Sequence, residues 1–536
     1  MITLNKTGNF WIDNGIVGLY KILLEINDDN SFELTEDGLI FNISNEEELV
    51  NKLNEAKNEV VKHYLKKTGN FGWIYTEGEF ELYERTDFKM HLKPFFTGKT
   101  PKTEGALLCP DAKNEDLKGN SRRMTNDEYI SFQRFKDNNS EKKIGERKIK
   151  IEKKGFLNSA PVYEIGNNFN INFFEKGTKM CFFSGEKYKY SDTVTGMDYP
   201  FLTSNTGELN FTSYLKKKPL LSSLYSFVGL FSFYNLNYLL QADDIKHYFV
   251  LYDPNLFSLS EFLNAITKNV EQINKSDFCN FETEIIGTVY ESEALFNFLL
   301  SIYTQLMLHF EEEKYNESLL YTKSVFTLYN DGNIFRSVKE YTSITDLFKL
   351  FDDFANFDEE RNYFQHLINF IRYFSKRLDS GKYDTIWRNR LCSAILNFKS
   401  INSVVEDFLG EVSMREIKGI PYLDKIINIY NNKTQLNMKT EMVEICKSLG
   451  NWIGAYCREK EDKGILFSIR NAKNRTEFLN VLAETQFRTE VSYRETFFKE
   501  LPDNSQWEEY KSLVSIFAMN SFLYKENSNQ TEKNNN

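Results

Sequence analysis

Proline, glycine, cysteine and histidine are all scarce in this sequence of 536 residues, which has 9, 26, 6 and 5 of them respectively. So few prolines and glycines exclude a disordered or loop-dominated chain. The six cysteines are scattered, at positions 109, 181, 279, 392, 446 and 457. Such spacing in a large chain is typical of reduced thiols and argues against a disulfide framework. We therefore expect a folded, cytoplasmic protein.

The motifs of common catalytic sites are also missing. The five histidines, at positions 63, 91, 247, 309 and 366, have no adjacent aspartate and no second histidine at the spacing of metal ligands. Gly98-Lys99-Thr100 matches the end of a phosphate-binding loop, but Lys93 stands where that loop requires its first glycine. The sequence therefore predicts no catalytic residue, no metal and no cofactor, and we expect that the protein is not an enzyme.

No long apolar run is present. The first residues lack the basic start and apolar run of a secretory signal. The segment from Leu220 to Leu240 comes nearest to a membrane span, but serines, asparagines and tyrosines interrupt it. We expect a buried helix pair there and no membrane partner.

The chain is long enough for two to four domains, and its hydrophobic content of 41% is sufficient for folding. We predict an α+β fold in three parts. A mixed N-terminal α/β domain at 1–205 carries a basic insertion at about 97–154, a mostly α-helical middle domain covers 206–410, and a C-terminal helical bundle covers 411–536. The polar tail from Glu526 is expected to be disordered.

Hydrophobic periodicity predicts individual elements. Helical spacing favours a helix from Glu46 to Leu65, and strands are expected around 39–43, 80–83 and 169–173. From about Phe211 onward the pattern favours one helix after another. Three apolar stripes there are typical of buried helix faces. They are Leu347, Phe351 and Phe354; Phe364, Leu367, Ile371, Phe374 and Leu378; and Met442, Cys446, Leu449, Ile453 and Tyr456.

The net charge of −11 conceals a local excess of basic residues. From Arg85 to Lys154 there are 18 Lys and Arg residues against 11 Asp and Glu, a balance of +7. From Lys463 to Lys499 there are seven against four, a balance of +3. These two stretches are able to hold a polyanion while the acidic remainder keeps the protein in solution. The alternative is that both are ordinary solvated surfaces.

The opening phrase Thr7-Gly-Asn-Phe-Trp-Ile-Asp-Asn-Gly-Ile-Val-Gly18 combines a turn with a helix start. Asp13 is a candidate cap for a helix that begins near Asn14. Gly15 and Gly18 lie three residues apart on one face, where another backbone is able to approach closely. A buried N-terminal helix explains the phrase without any function, and we expect Phe10 and Trp11 to lie in the core.

The segment Cys181-Phe-Phe-Ser184-Gly-Glu186 is one residue short of a zinc knuckle. A knuckle needs a second thiolate three positions after the first, and that position holds Ser184. The backbone turn is expected to survive without the metal.

Three segments taken in order resemble the large subunit of type I CRISPR Cascade effector complexes, of the I-B and I-A kinds. The opening phrase is similar to the family's T-G-N-P-[FW]-[VI]-D-x-G, with Phe10 in place of the proline. The Cys181–Glu186 segment resembles its Cys-x-x-Cys-Gly knuckle with one cysteine lost. The stretch from Gly450 through Ile469 and Arg470 to Leu479 is similar to the helical, small-subunit-like region that ends these proteins.

The resemblance implies a non-catalytic subunit of an RNA-guided antiviral surveillance complex. Such a subunit recognises the protospacer-adjacent motif, helps to part the duplex and recruits a helicase-nuclease. The implied partners are crRNA, target DNA, a backbone repeat protein and a small subunit. An internal start at Met414, at the predicted boundary, is a candidate origin for a separate small subunit.

Phosphate contacts from Lys and Arg would dominate the binding of DNA, and amides are able to read base edges. On that basis the candidate DNA contacts fall into two sets. The first is Lys118, Asn120, Arg122, Arg123, Arg134 and Lys136, and the second is Lys463, Arg470, Lys473 and Arg475.

Two other functions stay open from the sequence. One is a stand-alone defence or toxin-like nuclease whose site has no recognised motif. The other is a helical protein–protein scaffold without a role in nucleic-acid binding.

Overall fold

A computed structural model describes most of the chain in two compact units. The first unit comprises Met1–Lys268 and Tyr321–Thr342, and the second comprises Asn269–Leu320 and Ser343–Asn536. The three predicted segments, 1–205, 206–410 and 411–536, stay a prediction. The described residues are 2–26, 31–65, 70–84, 107–110, 121–141, 143–144, 147–148, 150–151, 155–157, 168–194, 199, 219–241, 244–267, 285, 290–309, 322–330, 335–357, 363–377, 383–411, 419–434, 440–493, 495–500 and 506–524.

The predicted α+β fold is confirmed, with helices throughout and a helical C-terminal region. The α-helices are Phe10–Ile26, Glu46–Leu65, Asn126–Asn139, Ser223–Gly229, Leu256–Thr267, Glu291–His309, Ile344–Ala355, Phe364–Tyr373, Ile386–Leu396, Asn402–Glu411, Leu423–Lys433, Thr440–Glu459, Gly464–Asn471, Arg475–Thr489, Glu495–Glu500 and Trp507–Leu523. Short 3₁₀-helices cover Ile171–Phe174 and Leu230–Asn235.

The strands form small sheets. In the first unit, a three-stranded sheet has the spatial order Ile2–Asn5, Gly38–Phe41 and Phe32–Leu34, and a four-stranded sheet has the order Asn237–Gln241, Asp244–Tyr252, Ser324–Asn330 and Phe335–Tyr341. A six-stranded sheet has the order Lys150–Ile151, Asn70–Thr76, Gly155–Leu157, Leu107–Cys109 and Ser121–Arg123, and its sixth strand, Glu79–Glu84, pairs with Asn70–Thr76. Three two-stranded pairs are Lys176–Met180 with Lys187–Tyr188, Ser191–Thr193 with Leu220–Ser222, and Lys143–Ile144 with Arg147–Lys148. In the second unit, Lys376–Arg377 pairs with Tyr383–Asp384.

The opening helix, Phe10–Ile26, is the centre of the first unit and is buried over most of its length. Its cap is Asn9, whose Oδ1 accepts hydrogen bonds from the backbone N–H groups of Trp11 (3.1 Å) and Ile12 (3.2 Å). The prediction that Asp13 caps a helix beginning near Asn14 is therefore wrong.

Asp13 instead closes the turn that precedes the helix. Its carboxylate accepts from the Thr7 backbone N–H at 2.7 Å, the Thr7 hydroxyl at 2.9 Å and the Gly8 N–H at 3.0 Å. Burial nevertheless raises the pKa of this carboxyl above its ordinary value. The prediction that the two aromatics belong to the core is confirmed, since Phe10 stacks on Phe326 with ring centroids 4.0 Å apart and Trp11 is buried.

Within the insertion predicted at about 97–154, the described residues form strands and a helix. Strands Leu107–Cys109 and Ser121–Arg123 extend the first unit's largest sheet, and the helix Asn126–Asn139 packs on it through Phe132. A small core around Trp73 and Leu108 organises these residues.

Three further predictions differ from the structure. The strand predicted at 169–173 is wrong, because Ile171–Phe174 forms a 3₁₀-helix. The segment Leu220–Leu240 has a helical centre between two strands rather than a helix pair. The middle of the chain is mostly helical, but the four-stranded antiparallel sheet interrupts the run of helices predicted from Phe211. The prediction missed this sheet because two of its neighbouring strands are far apart in the sequence.

Other predictions are confirmed. The helix Glu46–Leu65 has the predicted bounds, and strands lie at Gly38–Phe41 and Glu79–Glu84. The described members of the three apolar stripes are buried, apart from Phe364 and Tyr456, which are partly exposed. In the described part of the chain, no helix has the length and apolar character needed to cross a membrane. Met414 and the tail from Glu526 lie outside the described residues.

Candidate nucleic-acid interface

The first predicted contact, Arg122, is engaged by an acid within its own unit. Its guanidinium donates two hydrogen bonds to the Glu128 carboxylate, at 2.8 and 2.7 Å. Glu128 also accepts from the Thr125 N–H, and the Thr125 hydroxyl accepts from the Glu128 N–H, which completes a capping box for the helix Asn126–Asn139. Arg122 therefore braces a helix start, and phosphate would have to compete with a bidentate carboxylate.

The ion pair between Arg122 and Glu128 predicts that the stability of the protein depends on pH. Hydrogen bonds, first from Arg122 and then from Thr125, lower the pKa of Glu128 from 4.5 to about 2. A folded-state pKa below the unfolded value stabilises the protein above about pH 4.5 and loses that effect as the pH falls toward about 2. We expect Glu128→Gln to lower the free energy of unfolding by about 1 to 2 kcal/mol at pH 7.

Urea unfolding at pH 7 and at pH 3 measures the effect of Glu128→Gln, with Asp127→Asn on the same helix turn as the control. The difference between wild type and Glu128→Gln should shrink at pH 3, whereas the control should differ little at either pH. An equal difference in stability between wild type and Glu128→Gln at both pH values would contradict the stabilising role of the Arg122–Glu128 ion pair.

Three other members of the first set are exposed. Arg123 lies at the end of its strand, and Arg134 and Lys136 lie on the helix Asn126–Asn139. None of the three has an acidic partner among the described residues. Arg134 and Lys136 are two positions apart, which places them about 200° apart around the helix. They therefore do not form one patch with each other. Lys118 and Asn120 lie outside the described residues.

The second set divides in the same way. Arg470 packs across Gly410 and lies 3.4 Å from Asp407 and 3.5 Å from Glu411, so acids neutralise it. Lys463 places its ammonium over the Phe522 ring, 5.5 Å from the centroid.

The last two predicted contacts lie at the turn before the helix Arg475–Thr489. The exposed Lys473 ammonium has no acidic partner in the described part of the chain, although the Lys473 backbone N–H donates to the Glu477 carboxylate at 2.8 Å, whereas Arg475 is partly buried. Asn474 caps that helix, because its Oδ1 accepts from the N–H of Glu477 at 2.9 Å. Only Lys473 of this set is therefore both exposed and unpaired by an acid.

The turn at Cys181 survives without the second cysteine. Gly185, at φ 68°, donates its N–H to the Cys181 carbonyl at 3.0 Å, and the Cys181 N–H donates to the Glu186 carbonyl at 2.8 Å. Cys181 is fully buried, and the described residues contain no group of three side chains placed to hold a metal.

The strands that flank this turn carry lysines that the sequence analysis missed. The hairpin, defined as residues 175–190, exposes Lys176, Lys179, Lys187 and Lys189, together with the apolar side chains of Met180, Phe182 and Tyr190. The alternation of Lys with Tyr from 187 to 190 was the available signal, because alternate residues of a strand share a face.

Two of the four lysines are paired within the hairpin. Lys176 lies 2.7 Å from Glu186, and Lys189 lies 2.6 Å from Glu175. Both pairs are exposed, and exposed pairs contribute at most about 1 kcal/mol. A phosphate is therefore able to replace the carboxylates at small cost.

The other two lysines have no acidic partner in the described part of the chain. Lys179 donates to the Ser191 carbonyl at 3.1 Å, and Lys187 is exposed. The strands place Met180 directly opposite Lys187. The hairpin therefore presents ammonium groups beside exposed apolar side chains.

The fold beneath the hairpin is held by a tyrosine network. Tyr188 donates to Glu186 at 2.5 Å, and Tyr225 donates to the Asn5 carbonyl at 2.9 Å. Hydrogen bonds, first from Lys176 and then from Tyr188, lower the pKa of Glu186. The Tyr188 and Tyr225 rings pack edge to face with centroids 6.0 Å apart, which connects the hairpin with the first strand of its unit.

Comparison with known proteins adds no assignment: no protein-family model matches this chain, and no curated protein matches its sequence.

Proposed function

We propose that this protein is the large subunit of a type I CRISPR Cascade complex, which recognises the protospacer-adjacent motif and target DNA without cutting it. The partners in this proposal are crRNA, target DNA, a backbone repeat protein, a small subunit and a recruited helicase-nuclease. Two of the three segments that carry the resemblance form hydrogen-bonded turns. In the opening phrase, Asp13 accepts from the Thr7 N–H, and in the Cys181 turn, the Cys181 carbonyl accepts from the Gly185 N–H.

The observation that carries the proposal is the exposed lysine hairpin, residues 175–190. Nucleic-acid binding depends on cations that reach phosphates, and unpaired bases or groove edges add contacts to apolar and aromatic side chains. The hairpin presents both kinds of group on paired strands, and the Cys181 turn that joins these strands connects it with the resemblance.

Binding of duplex DNA tests the proposal. We expect the double variant Lys179→Gln/Lys187→Gln to bind a 30-bp duplex more weakly than wild type. Two lost phosphate contacts would reduce the slope of log affinity against log salt by about 1.8. Fluorescence anisotropy between 50 and 200 mM NaCl measures both quantities.

The matched control is Lys433→Gln/Lys460→Gln, which removes two charges outside the hairpin. Equal slopes for the two double variants would refute the role of the hairpin. Co-purification of the chain with RNA-bearing partners distinguishes a complex subunit from a scaffold, and Mg²⁺-dependent cleavage of the bound duplex would favour the nuclease.

A further inference from the structure

The pairing of its strands sorts the side chains of the hairpin, residues 175–190, onto two faces. Met180 lies directly opposite Lys187. The Lys189 backbone N–H donates to the Glu175 carbonyl at 2.9 Å, so these two residues also lie opposite each other. Opposite residues of an antiparallel pair share a face, and so do alternate residues of one strand. One face, which we call the lysine face, is therefore formed by Glu175, Met180, Lys187 and Lys189.

The other face of the hairpin carries the buried Tyr188. Lys176 lies opposite Tyr188 and places its ammonium over the Tyr188 ring, 4.4 Å from the centroid. Glu186 accepts hydrogen bonds from the Lys176 ammonium and from the Tyr188 hydroxyl. The charged groups of this face are thus tied to a buried ring. On the lysine face, in contrast, both lysines and the methionine are exposed.

The spacing of the two lysines on the lysine face suits a strand of nucleic acid. Because a β-strand rises about 3.4 Å per residue, Lys187 and Lys189 begin about 7 Å apart. A duplex carries one phosphate per about 3.4 Å of its axis on each strand. Two extended ammonium groups at this spacing are able to reach two phosphates of one strand, and Met180 beside them offers an apolar contact to a sugar.

The two lysines differ in their partners. Lys187 has no acidic partner in the part of the chain that the structure describes, whereas Lys189 lies 2.6 Å from the Glu175 carboxylate. The Lys189 ammonium also lies over the Tyr190 ring, 5.3 Å from the centroid. A hydrogen bond to Glu175 is the first cause that raises the pKa of Lys189, and one to Tyr190 is the second. The Glu175 carboxylate therefore occupies the place where a phosphate oxygen would bind Lys189.

The Glu175 carboxylate is held by Lys189 alone among the described residues. Its side chain is 40% exposed, so it is able to return to water without leaving a buried polar group unsatisfied. An exposed pair of this kind is weak, and salt screens it. Glu186 differs, because the Tyr188 hydroxyl binds it as well as Lys176. Of the two acids, Glu175 is therefore the one that a phosphate displaces more easily.

We propose that Lys189 is a latent phosphate contact of the lysine face and that Glu175 is the internal anion that occupies it in the free protein. A strand held by Lys187 brings a second phosphate close to Lys189, where its high effective concentration lets it displace the carboxylate. The ligand is the sugar–phosphate backbone of a nucleic acid. The inference rests on the proposed function, and it adds the face that is bound, a further contact and an acid that limits the affinity.

The decisive variant is Glu175→Gln in the full-length chain. It leaves Lys189 without a competing charge, so the affinity for a 30-bp duplex should rise by up to about fivefold. The slope of log affinity against log salt should steepen by up to about 0.9, because one more ammonium neutralises a phosphate without releasing an acid. Fluorescence anisotropy between 50 and 200 mM NaCl measures both quantities. The double variant Glu175→Gln/Lys189→Gln should lose the gain, since the released lysine is absent.

The matched control is Glu186→Gln, which makes the same change in the other lysine-paired acid of the hairpin. Glu186 lies on the other face, so this variant should alter the affinity less than Glu175→Gln does. Thermal unfolding shows whether the variants are folded, and Glu175→Ala repeats the test if Glu175→Gln lowers the thermal midpoint.

The outcomes separate this inference from the proposed function. If wild type binds the duplex and Glu175→Gln binds it no more tightly than Glu186→Gln does, the latent contact is refuted and the proposed function is not. If neither wild type nor any variant binds the duplex, the proposed function is refuted as well. A gain in affinity that the double variant keeps would overturn the role of Lys189.

Discussion

Replacing Glu293 with alanine is expected to destabilise the second unit by about 3 to 5 kcal/mol. The Glu293 side chain is fully buried, and its Oε2 accepts from the Nε of Arg388 at 2.5 Å. Its Oε1 accepts from the Tyr290 N–H at 2.9 Å and the Thr385 hydroxyl at 2.7 Å. Without this carboxylate, a buried guanidinium and two polar groups each lose an acceptor.

Urea unfolding measures the loss, and Glu495→Ala is the control. Glu495 forms an exposed pair with Lys499 at 2.6 Å in the same unit, so its removal should cost less than about 1 kcal/mol. The double variant Glu293→Met/Arg388→Met should recover much of the loss, because a buried pair exchanged for apolar side chains leaves no charge uncompensated. A loss for Glu293→Ala similar to that of the control would contradict this account.

The elements predicted well from the sequence are those defined by local signals. The helix Glu46–Leu65 is long and periodic, and its bounds were predicted as they occur. The cap of the helix Arg475–Thr489 is a local signal of the same kind, because Asn474 and Glu477 are three residues apart. Such signals depend only on neighbouring residues.

Elements that depend on distant partners were not predictable in this way. The strand Ser324–Asn330 is stable because it pairs with Asp244–Tyr252, more than 70 residues earlier. The strand Leu107–Cys109 has three residues and pairs with Gly155–Leu157, which the polar composition of that region concealed. A short strand acquires its identity from the sheet that it joins.

The candidate sites show the same division. Charge counting found Arg122, but not that Glu128, six residues later, would engage it. It found Arg470, but not the acids of another helix, Asp407 and Glu411, that lie beside it. The His366 and Tyr422 rings, whose centroids lie 4.2 Å apart, belong to residues 56 positions apart, and no spacing rule brings them together.

The double variant Gly15→Ala/Gly18→Ala is expected to destabilise the first unit by about 2 to 6 kcal/mol. A Cβ at Gly15 would lie 2.4 Å from the Val228 carbonyl oxygen, and one at Gly18 would lie 2.2 Å from that of Phe231. Both obstacles are backbone atoms, so the neighbouring segment would have to move. Overpacking of this kind lowers the free energy of unfolding by about 1 to 3 kcal/mol at each site. This loss exceeds the gain of up to about 1 kcal/mol from the higher helix propensity of alanine.

The control is Gly464→Ala, where the nearest atom to a new Cβ is a side-chain oxygen of Asp462 at 3.0 Å. Thermal unfolding compares the variants, and hydrogen exchange of the helix Phe10–Ile26 assigns the loss to the first unit. If the double variant is as stable as the control, the close approach of the backbones is not needed. If it is destabilised, packing alone accounts for both glycines of the opening phrase. The part of that phrase available for a partner would then lie outside the buried helix face, toward the turn at Thr7 and Gly8.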